Sequence, residues 1–319
     1  MILTNNKNKT SVNGIDRDTA LELSKLTGND LYDLLNSANS VRSKYRGNKV
    51  DLCSIVNAKS GACPEDCSFC AQSAHNRTDT KTYSLLSQDE ITGAAISARD
   101  KGVKRFCVVT SGKRPSDKEL VEICKITTGL KETGLFPCAT LGILEEEQLQ
   151  MLKEAGLHRY HHNLETSEAF FSEICSTHTF RDKIKTVETA RSVGFSICSG
   201  GIFGLGESWE DRIEMALVLK ELGVDSVPIN FLTPVKGTPL GDRGFMNPLE
   251  ALKIIAIYRL IMPDKEIRVC GGRSDTLRGM NSFVFFAGAD GLLTGNYLTT
   301  PGRSPDDDLQ MIKDLELET

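Results

Sequence analysis

Along the chain, short runs of β-branched and apolar residues alternate with longer stretches in which apolar residues recur at helical spacing. The apolar runs fall at 50–56, 104–109, 136–141, 158–164, 195–201, 226–232, 266–270 and 291–294, eight candidate strands in all. Between them, helix starts are marked by a hydroxyl residue with a carboxylate three positions on: Ser87 with Glu90, Ser116 with Glu119, Thr179 with Asp182, and Ser208 with Asp211. In that pairing each side chain accepts a hydrogen bond from the other residue's backbone N–H, which satisfies donors a helix start leaves open. Asn247 before Pro248 and Glu250, and Ser304 before Pro305 and Asp307, carry the related signature with proline in the first turn. Strands alternating with helices of about 10–15 residues require a parallel sheet, because a parallel neighbour is reached only by a crossover. Eight such units predict an α/β fold of the (β/α)8 TIM-barrel type, with an open doubly wound sheet as the alternative.

Ahead of the first strand, residues 16–45 set Leu21, Leu31, Leu34, Leu35, Ala38 and Val41 among polar residues, with a break near Gly28. This predicts two amphipathic helices closing one end of the barrel, and so an N-terminal helical extension over residues 1–45 ahead of a barrel domain over residues 46–319. Residues 1–14 are polar, with neither the apolar run of a secretory signal nor the arginines of a transit peptide, and read as a frayed start. No apolar run approaches the ~18 residues of a membrane span. The expectation is a cytoplasmic protein with no membrane partner. A hydrophobic content of 39% over 319 residues allows a sizeable core. A formal net charge of −5, with no block of like charges, argues against a nucleic-acid surface and leaves small-molecule chemistry.

Ten cysteines in such a chain point to a reducing compartment, where thiols serve metals rather than disulfides. Three of them, Cys63, Cys67 and Cys70, stand at i, i+4 and i+7 in a loop opened by Ser60-Gly61 and containing Pro64. Three thiolates can hold three irons of a [4Fe–4S] cube and leave the fourth open to a small molecule. A structural zinc site would be completed by four ligands, and only three stand here; zinc and plain buried thiols remain the alternatives. The loop follows the first strand, and in a (β/α)8 barrel the loops at the carboxyl ends of strands build the site.

This CxxxCxxC, with Phe69 before its last cysteine, resembles the signature of the radical S-adenosylmethionine (SAM) enzymes. The flanking words Asn57-Ala58-Lys59-Ser60-Gly61 and Cys63-Pro64-Glu65-Asp66-Cys67 are similar to the biotin synthase family, and the likeness extends over most of the chain. The resemblance implies that Cys63, Cys67 and Cys70 hold a [4Fe–4S] cluster whose open iron is chelated by SAM. It further implies radical sulfur insertion into dethiobiotin, a one-electron reductant such as flavodoxin or ferredoxin, and a homodimer.

Cys107, Cys138 and Cys198 each sit singly in a candidate strand, where one cysteine alone reads as core filler. The resemblance implies that together with Arg268 they hold an auxiliary [2Fe–2S] cluster inside the barrel, the source of the inserted sulfur. Cys270 lies two residues beyond Arg268 and so faces the same side of its strand, at a position where the family pattern has serine. Four thiols could bind a cluster richer in iron, or Cys270 could ligate in place of Arg268. Cys53, Cys124 and Cys175 have no partner at metal spacing and read as structural.

The remaining site residues follow from the same resemblance. Asn163 and Glu165, on one face of the fourth strand, correspond to residues holding the SAM ribose. His161 on that face stands where the family has asparagine, and reads as structural. Ser111 and Gly112 occupy the place where the methionine amine is received. Ile202 and Glu207 belong to a glycine-rich stretch that runs along the adenine, which Phe69 also meets. Asn230, with Asn163, corresponds to the pair on the substrate's ureido ring, and Thr299 and Thr300 to the group that meets its carboxylate. A different radical SAM enzyme, of the hydrogenase-maturation or methylornithine-forming kind, and a non-catalytic iron–sulfur carrier are the rival readings.

Overall fold

The computed structural model describes residues 13–319. All four anticipated capping pairs form: Ser87, Ser116, Thr179 and Ser208 each accept from the backbone N–H three residues on, and the carboxylate there accepts from the cap's N–H. Asn247 accepts from Leu249 N–H and Ser304 from Asp307 N–H, each just ahead of a proline. A side-chain cap of this kind contributes about 1 kcal/mol to its helix. The helix Glu146–Glu154 is announced by no Ser, Thr, Asn or Asp, because its cap is Glu145, paired with Gln148.

The strands are β1 (Asp51–Lys59), β2 (Arg105–Thr110), β3 (Phe136–Thr140), β4 (Arg159–His161), β5 (Ser196–Cys198), β6 (Gly201–Phe203), β7 (Ser226–Phe231), β8 (Glu266–Val269) and β9 (Gly291–Leu293). They form one parallel sheet in the order β5-β4-β3-β2-β1-β9-β8-β7-β6, and a further pairing of β5 with β7, through Cys198 and Ser226, closes it. β5 and β6 are two halves of the single strand expected at 195–201. The interruption falls at Ser199-Gly200, where β7 presents Pro228, a residue with no N–H for the ladder. A Cβ at Gly200 would lie 2.0 Å from the Pro228 carbonyl oxygen, so only glycine lets the chain pass. The result is an eight-strand closed barrel rather than an open doubly wound sheet.

Two helices, Arg17–Ser24 and Gly28–Arg46, precede the barrel as the pattern predicts. Leu31, Leu34, Leu35 and Ala38 share one buried core with Ile254 and Ile255 of the helix Pro248–Ile261. At the far end of this extension Arg46 donates to Asp290 Oδ2 at 2.6 Å and to the Asp264 carbonyl at 3.3 Å. Those two residues lead into β9 and β8, so the extension covers the amino ends of the strands and leaves the carboxyl ends free for the site. The expected frayed start lies outside the described residues except for Asn13 and Gly14, and by Ile15 the chain is pinned, its N–H donating to Leu260 O at 3.0 Å. Among the described residues no helix is long and apolar enough to cross a membrane.

Inward-facing residues stack in layers. At the amino end is an ionic layer: Glu266 Oε1 accepts from Arg159 at 3.3 Å, from Ser226 Oγ at 2.8 Å and from Arg268. Arg268 also pairs with Asp51, whose other oxygen accepts from Arg105 at 3.2 Å. Gly291, opposite Arg268 in the ladder, makes room for this; a Cβ there would meet the guanidinium carbon at 3.2 Å.

Beneath that layer, Arg259 is fully buried, paired with Asp290 Oδ1, which also accepts from Ile267 N–H at 2.8 Å. Removing the carboxylate strands a buried cation, a loss of about 3–5 kcal/mol. Asp290→Ala is therefore expected to shift the urea midpoint down by that equivalent with little change of slope; a loss under ~1 kcal/mol would mean the pair is not structural.

Candidate functional site

At the carboxyl ends of the strands a cavity of about 420 Å³ is walled by the loop thiols Cys63, Cys67 and Cys70 and also by the strand thiols Cys107, Cys138, Cys198 and Cys270. With Cys53, eight cysteines from the loop and from five strands or strand ends thus face one chamber. The ladder explains the strand set: Cys107 pairs with Cys138 across β2–β3, and Cys198 sits between His161 and Ser226. Ile55, Val109 and Leu293 add apolar wall, Ile55 opposite Cys107 and Leu293 opposite Cys53 in the ladder.

The loop carrying Cys63, Cys67 and Cys70 is held mainly through its backbone, and of the three sulfurs Cys67 Sγ has a side-chain contact, with Cys175. Asn76 Nδ2 donates to Cys70 O at 2.8 Å and Cys67 O at 3.3 Å, while Cys63 pairs N–H to Gln72 O at 3.0 Å and accepts from Ala74 N–H at 2.8 Å. Ser111 Oγ donates to Gly61 O at 2.8 Å and Ser111 N–H to Lys59 O at 2.9 Å. Ser111 therefore braces the loop's entry with its side chain and, like Gly112 and Phe69, also lines the chamber.

On β4 and just beyond, His161, Asn163 and Glu165 all line the chamber. Asn163 Oδ1 is taken by His161 Nε2 at 2.8 Å and by Gly200 N–H at 3.2 Å, which leaves its amide donors available. Glu165 has a left-handed backbone, φ 72°, uncommon for a non-glycine residue. Its Oε1 lies 3.8 Å from Lys183 Nζ, and its Oε2 is buried with no partner. Thr110 Oγ1, also in the chamber wall, is likewise unpartnered. Buried polar atoms are nearly always paired, so these two mark places for a polar ligand, and a carboxylate oxygen suits a ribose hydroxyl.

Other expected residues divide. Ile202, Thr299 and Thr300 line the chamber. Asn230 lines it too, but both ends of its amide are engaged, Nδ2 to Gly201 O at 3.1 Å and Oδ1 from Gly271 N–H at 3.0 Å. Glu207 does not reach the chamber. Its carboxylate accepts from Gly204 and Gly206 N–H at 2.9 and 3.0 Å and from Arg212 Nε at 2.8 Å, holding the glycine-rich turn from behind. Arg268 spends both terminal nitrogens on Asp51, Leu292 O and Glu266. These carboxylates, against the cost of burial, hold it a cation well above the ordinary guanidinium range.

Two cysteines read as structural prove to be placed otherwise. Cys53 lines the chamber beside Cys107 and Cys138. Cys175 lies with its sulfur 3.8 Å from Cys67 Sγ and 3.3 Å from His178 Nδ1. Its partners are more than a hundred residues away or three residues on, so cysteine-to-cysteine spacing could not reveal it; the Cys-x-x-His of 175–178 was the available signal. Cys124 stays outside the chamber.

Burial raises the strand thiols unequally. It pushes Cys138 up to about 11 and Cys270 up to about 12, and Cys107 well above the ordinary value. Cys198 is the exception: burial opposes its thiolate, but His161, Arg159 and Arg268 overcome that and lower it. In the cluster-free chain at pH 8 a small alkylating agent should therefore modify Cys198 ahead of Cys138 and Cys270. Raising pH from 7 to 9 should speed the latter two about tenfold per unit, as thiolate fraction rises below the pKa. Peptide mass spectrometry reads the order, and equal rates at pH 8 would contradict it.

Comparison with known proteins agrees with this architecture. Residues 58–219 match the Radical SAM superfamily, and residues 228–318 match the Biotin and Thiamin Synthesis associated domain. Biotin synthase of Thermodesulfovibrio yellowstonii is 57% identical over 288 residues, covering 90% of this chain and 91% of that one. Biotin synthase of Heliobacterium modesticaldum is 52% identical over 304 residues, with 95% and 93% covered. Among solved structures, methylornithine synthase superimposes with a TM-score of 0.82 at 22% identity, covering 94% and 93% of the two chains. A maturase of the [FeFe]-hydrogenase gives 0.81 at 16%, covering 96% and 72%. At those identities the structures share the fold, whereas identity above one half along nearly the whole length is a closer tie, and the chain belongs to the biotin synthase family of radical SAM enzymes.

Proposed function

We propose that the chain inserts sulfur into dethiobiotin to form biotin, using a [4Fe–4S] cluster with SAM and an auxiliary iron–sulfur cluster. The observation that supports this reading is the one chamber walled by the three loop thiols and by the strand thiols Cys107, Cys138, Cys198 and Cys270, with Cys53 beside them. A SAM enzyme needing no sulfur donor has no evident use for the inner set. The donors fit the groups: three loop sulfurs leave one iron open, and four strand sulfurs can complete a second cluster. When bound, the first cluster and SAM supply one-electron hydrogen abstraction and the second supplies sulfur.

The chain's own residues hold, orient and exclude. Cys63, Cys67 and Cys70 take the first cluster on a loop fixed by Asn76 and Ser111. Glu165 Oε2 receives the ribose, with Asn163 beside it, and Phe69, Gly112 and Ile202 border SAM. Asn163, with free amide donors, addresses the substrate's ureido carbonyl, Asn230 supplies its remaining N–H and lone pair, and Thr299 and Thr300 meet the carboxylate. Ile55, Val109 and Leu293 keep water from the reacting carbons. A one-electron donor such as flavodoxin or ferredoxin, and a homodimeric, cytoplasmic enzyme, complete the reading. Its test is anaerobic, reduced, cluster-loaded protein given SAM and dethiobiotin: 5′-deoxyadenosine and biotin should both form. SAM cleavage without biotin would transfer the chain to another radical SAM reaction, and no cleavage at all would make it a carrier.

For the auxiliary cluster the ligand set is Cys107, Cys138, Cys198 and Cys270. Arg268 keeps its protons, offers no lone pair and already serves two carboxylates, so it braces the floor instead. In protein carrying Cys63→Ala, Cys67→Ala and Cys70→Ala, adding Cys270→Ser should lower bound iron and sulfide by at least about half, as loss of one of four thiolates weakens the set. Unchanged iron and sulfide would return the fourth position to Arg268.

A further inference from the structure

A second set of metal-ligating side chains is assembled where the cluster loop meets residues 174–178. Cys67 Sγ, Cys175 Sγ and a ring nitrogen of His178 lie within 4.8 Å of one another, and Cys175 and His178 are buried. The two sulfurs are 3.8 Å apart, and Cys175 Sγ is 3.3 Å from Nδ1 and 3.8 Å from Nε2 of His178. Around a tetrahedral ion with metal–sulfur bonds of about 2.3 Å and metal–nitrogen bonds of about 2.0–2.1 Å, ligand atoms stand about 3.8 Å apart for sulfur to sulfur and about 3.6 Å for sulfur to nitrogen. The Cys67–Cys175 separation matches, and Cys175 Sγ stands 3.8 Å from Nε2, close to the sulfur–nitrogen value.

The surroundings supply what such a site needs beyond its ligands. His178 Nδ1 faces Glu65 Oε2, a carboxylate–histidine pair of the kind that orients metal-bound imidazoles and leaves Nε2 for the ion. Glu65 Oε2 also accepts from Thr177 Oγ1 at 2.8 Å. Asp66 Oδ1 accepts from Ser176 N–H at 2.9 Å and Thr177 N–H at 3.3 Å, and lies 3.2 Å from Cys175 Sγ. Ser68 N–H donates to Ile174 O at 2.8 Å, tying the two segments together. None of these groups is used by the reaction described above except Cys67.

We propose that in the cluster-free chain Cys67, Cys175 and His178 bind a single borderline divalent ion of the Zn2+ or Fe2+ class, two thiols giving up their protons and the fourth position going to water. Because Cys67 belongs to both sets, this ion and the [4Fe–4S] cluster exclude one another at that sulfur. The site gives the loop a way to hold one metal ion before the cluster is built, and it makes excess Zn2+ an inhibitor of cluster assembly. The proposal is independent of sulfur insertion, since its test uses no loaded cofactor.

The experiment is a thiol footprint on the full chain, stripped of metal under anaerobic, reducing conditions and probed with Zn2+ alone. One added equivalent beyond that taken by the strand thiols should slow alkylation of Cys67 and Cys175 at least tenfold while Cys63 and Cys70 stay reactive. His178→Gln should remove the protection of Cys175. Protection of Cys63 and Cys70 together with Cys67, with Cys175 left reactive, would assign the ion to the cluster loop's own triplet and overturn the proposal, as would no protection of Cys175 at all. The wild-type footprint decides the matter even if the variant does not fold.

Discussion

The ionic layer around Glu266 is the constraint on which the rest of the barrel depends. Most (β/α)8 barrels fill their interior with branched apolar side chains. This one devotes the middle of its interior to small thiols and so must be closed from below by something other than hydrophobic packing. Glu266 on β8 meets Arg159 on β4 and Ser226 on β7, while Arg268 reaches across Gly291 to Asp51 on β1, which also meets Arg105 on β2. Four strands are tied by charge and a fifth by the Ser226 hydroxyl, and each charge has a partner, which buried charges require.

That floor also sets the electrostatics of the layer above it. Arg268 and Arg159 face thiols that burial keeps protonated, and with His161 they lower Cys198 alone. A layer of mostly neutral thiols tolerates the low dielectric when no metal is bound. Metal binding to thiols of this kind is coupled to their deprotonation. The inner sulfurs and the loop sulfurs share one chamber, whose wall also carries Ile55, Val109 and Leu293.

The loop above is rigid for local reasons. Asn76, Gln72, Ser73 and Ser111 hold its backbone, so its three sulfurs need no side-chain contacts of their own. Cys67 nonetheless has one, with Cys175, and that contact joins the cluster loop to the segment after β4. Lys183, following the same segment, approaches Glu165. The cysteine loop and Glu165 are thus braced from a single neighbouring segment.

Much of this was legible in the residues alone. Strand and helix alternation, the four capping boxes and the CxxxCxxC spacing are local, and local physics settles them: each depends on neighbours within a few residues. Period-2 alternation likewise put His161, Asn163 and Glu165 on one face and Cys270 with Arg268 on another, while the grouping of Cys107, Cys138 and Cys198 came from the family resemblance. What alternation could not supply is the partner across space. That Arg268 pairs with Asp51 as well as with Glu266 depended on a strand far away in sequence; that Glu207 holds the glycine-rich turn from behind depended on Arg212 and two backbone N–H groups. The break at Gly200 required Pro228 from another strand, and the meeting of Cys67 with Cys175 required two loops to be folded together. Spacing along the chain determines which face a side chain takes, but only closure of the barrel decides what that face meets.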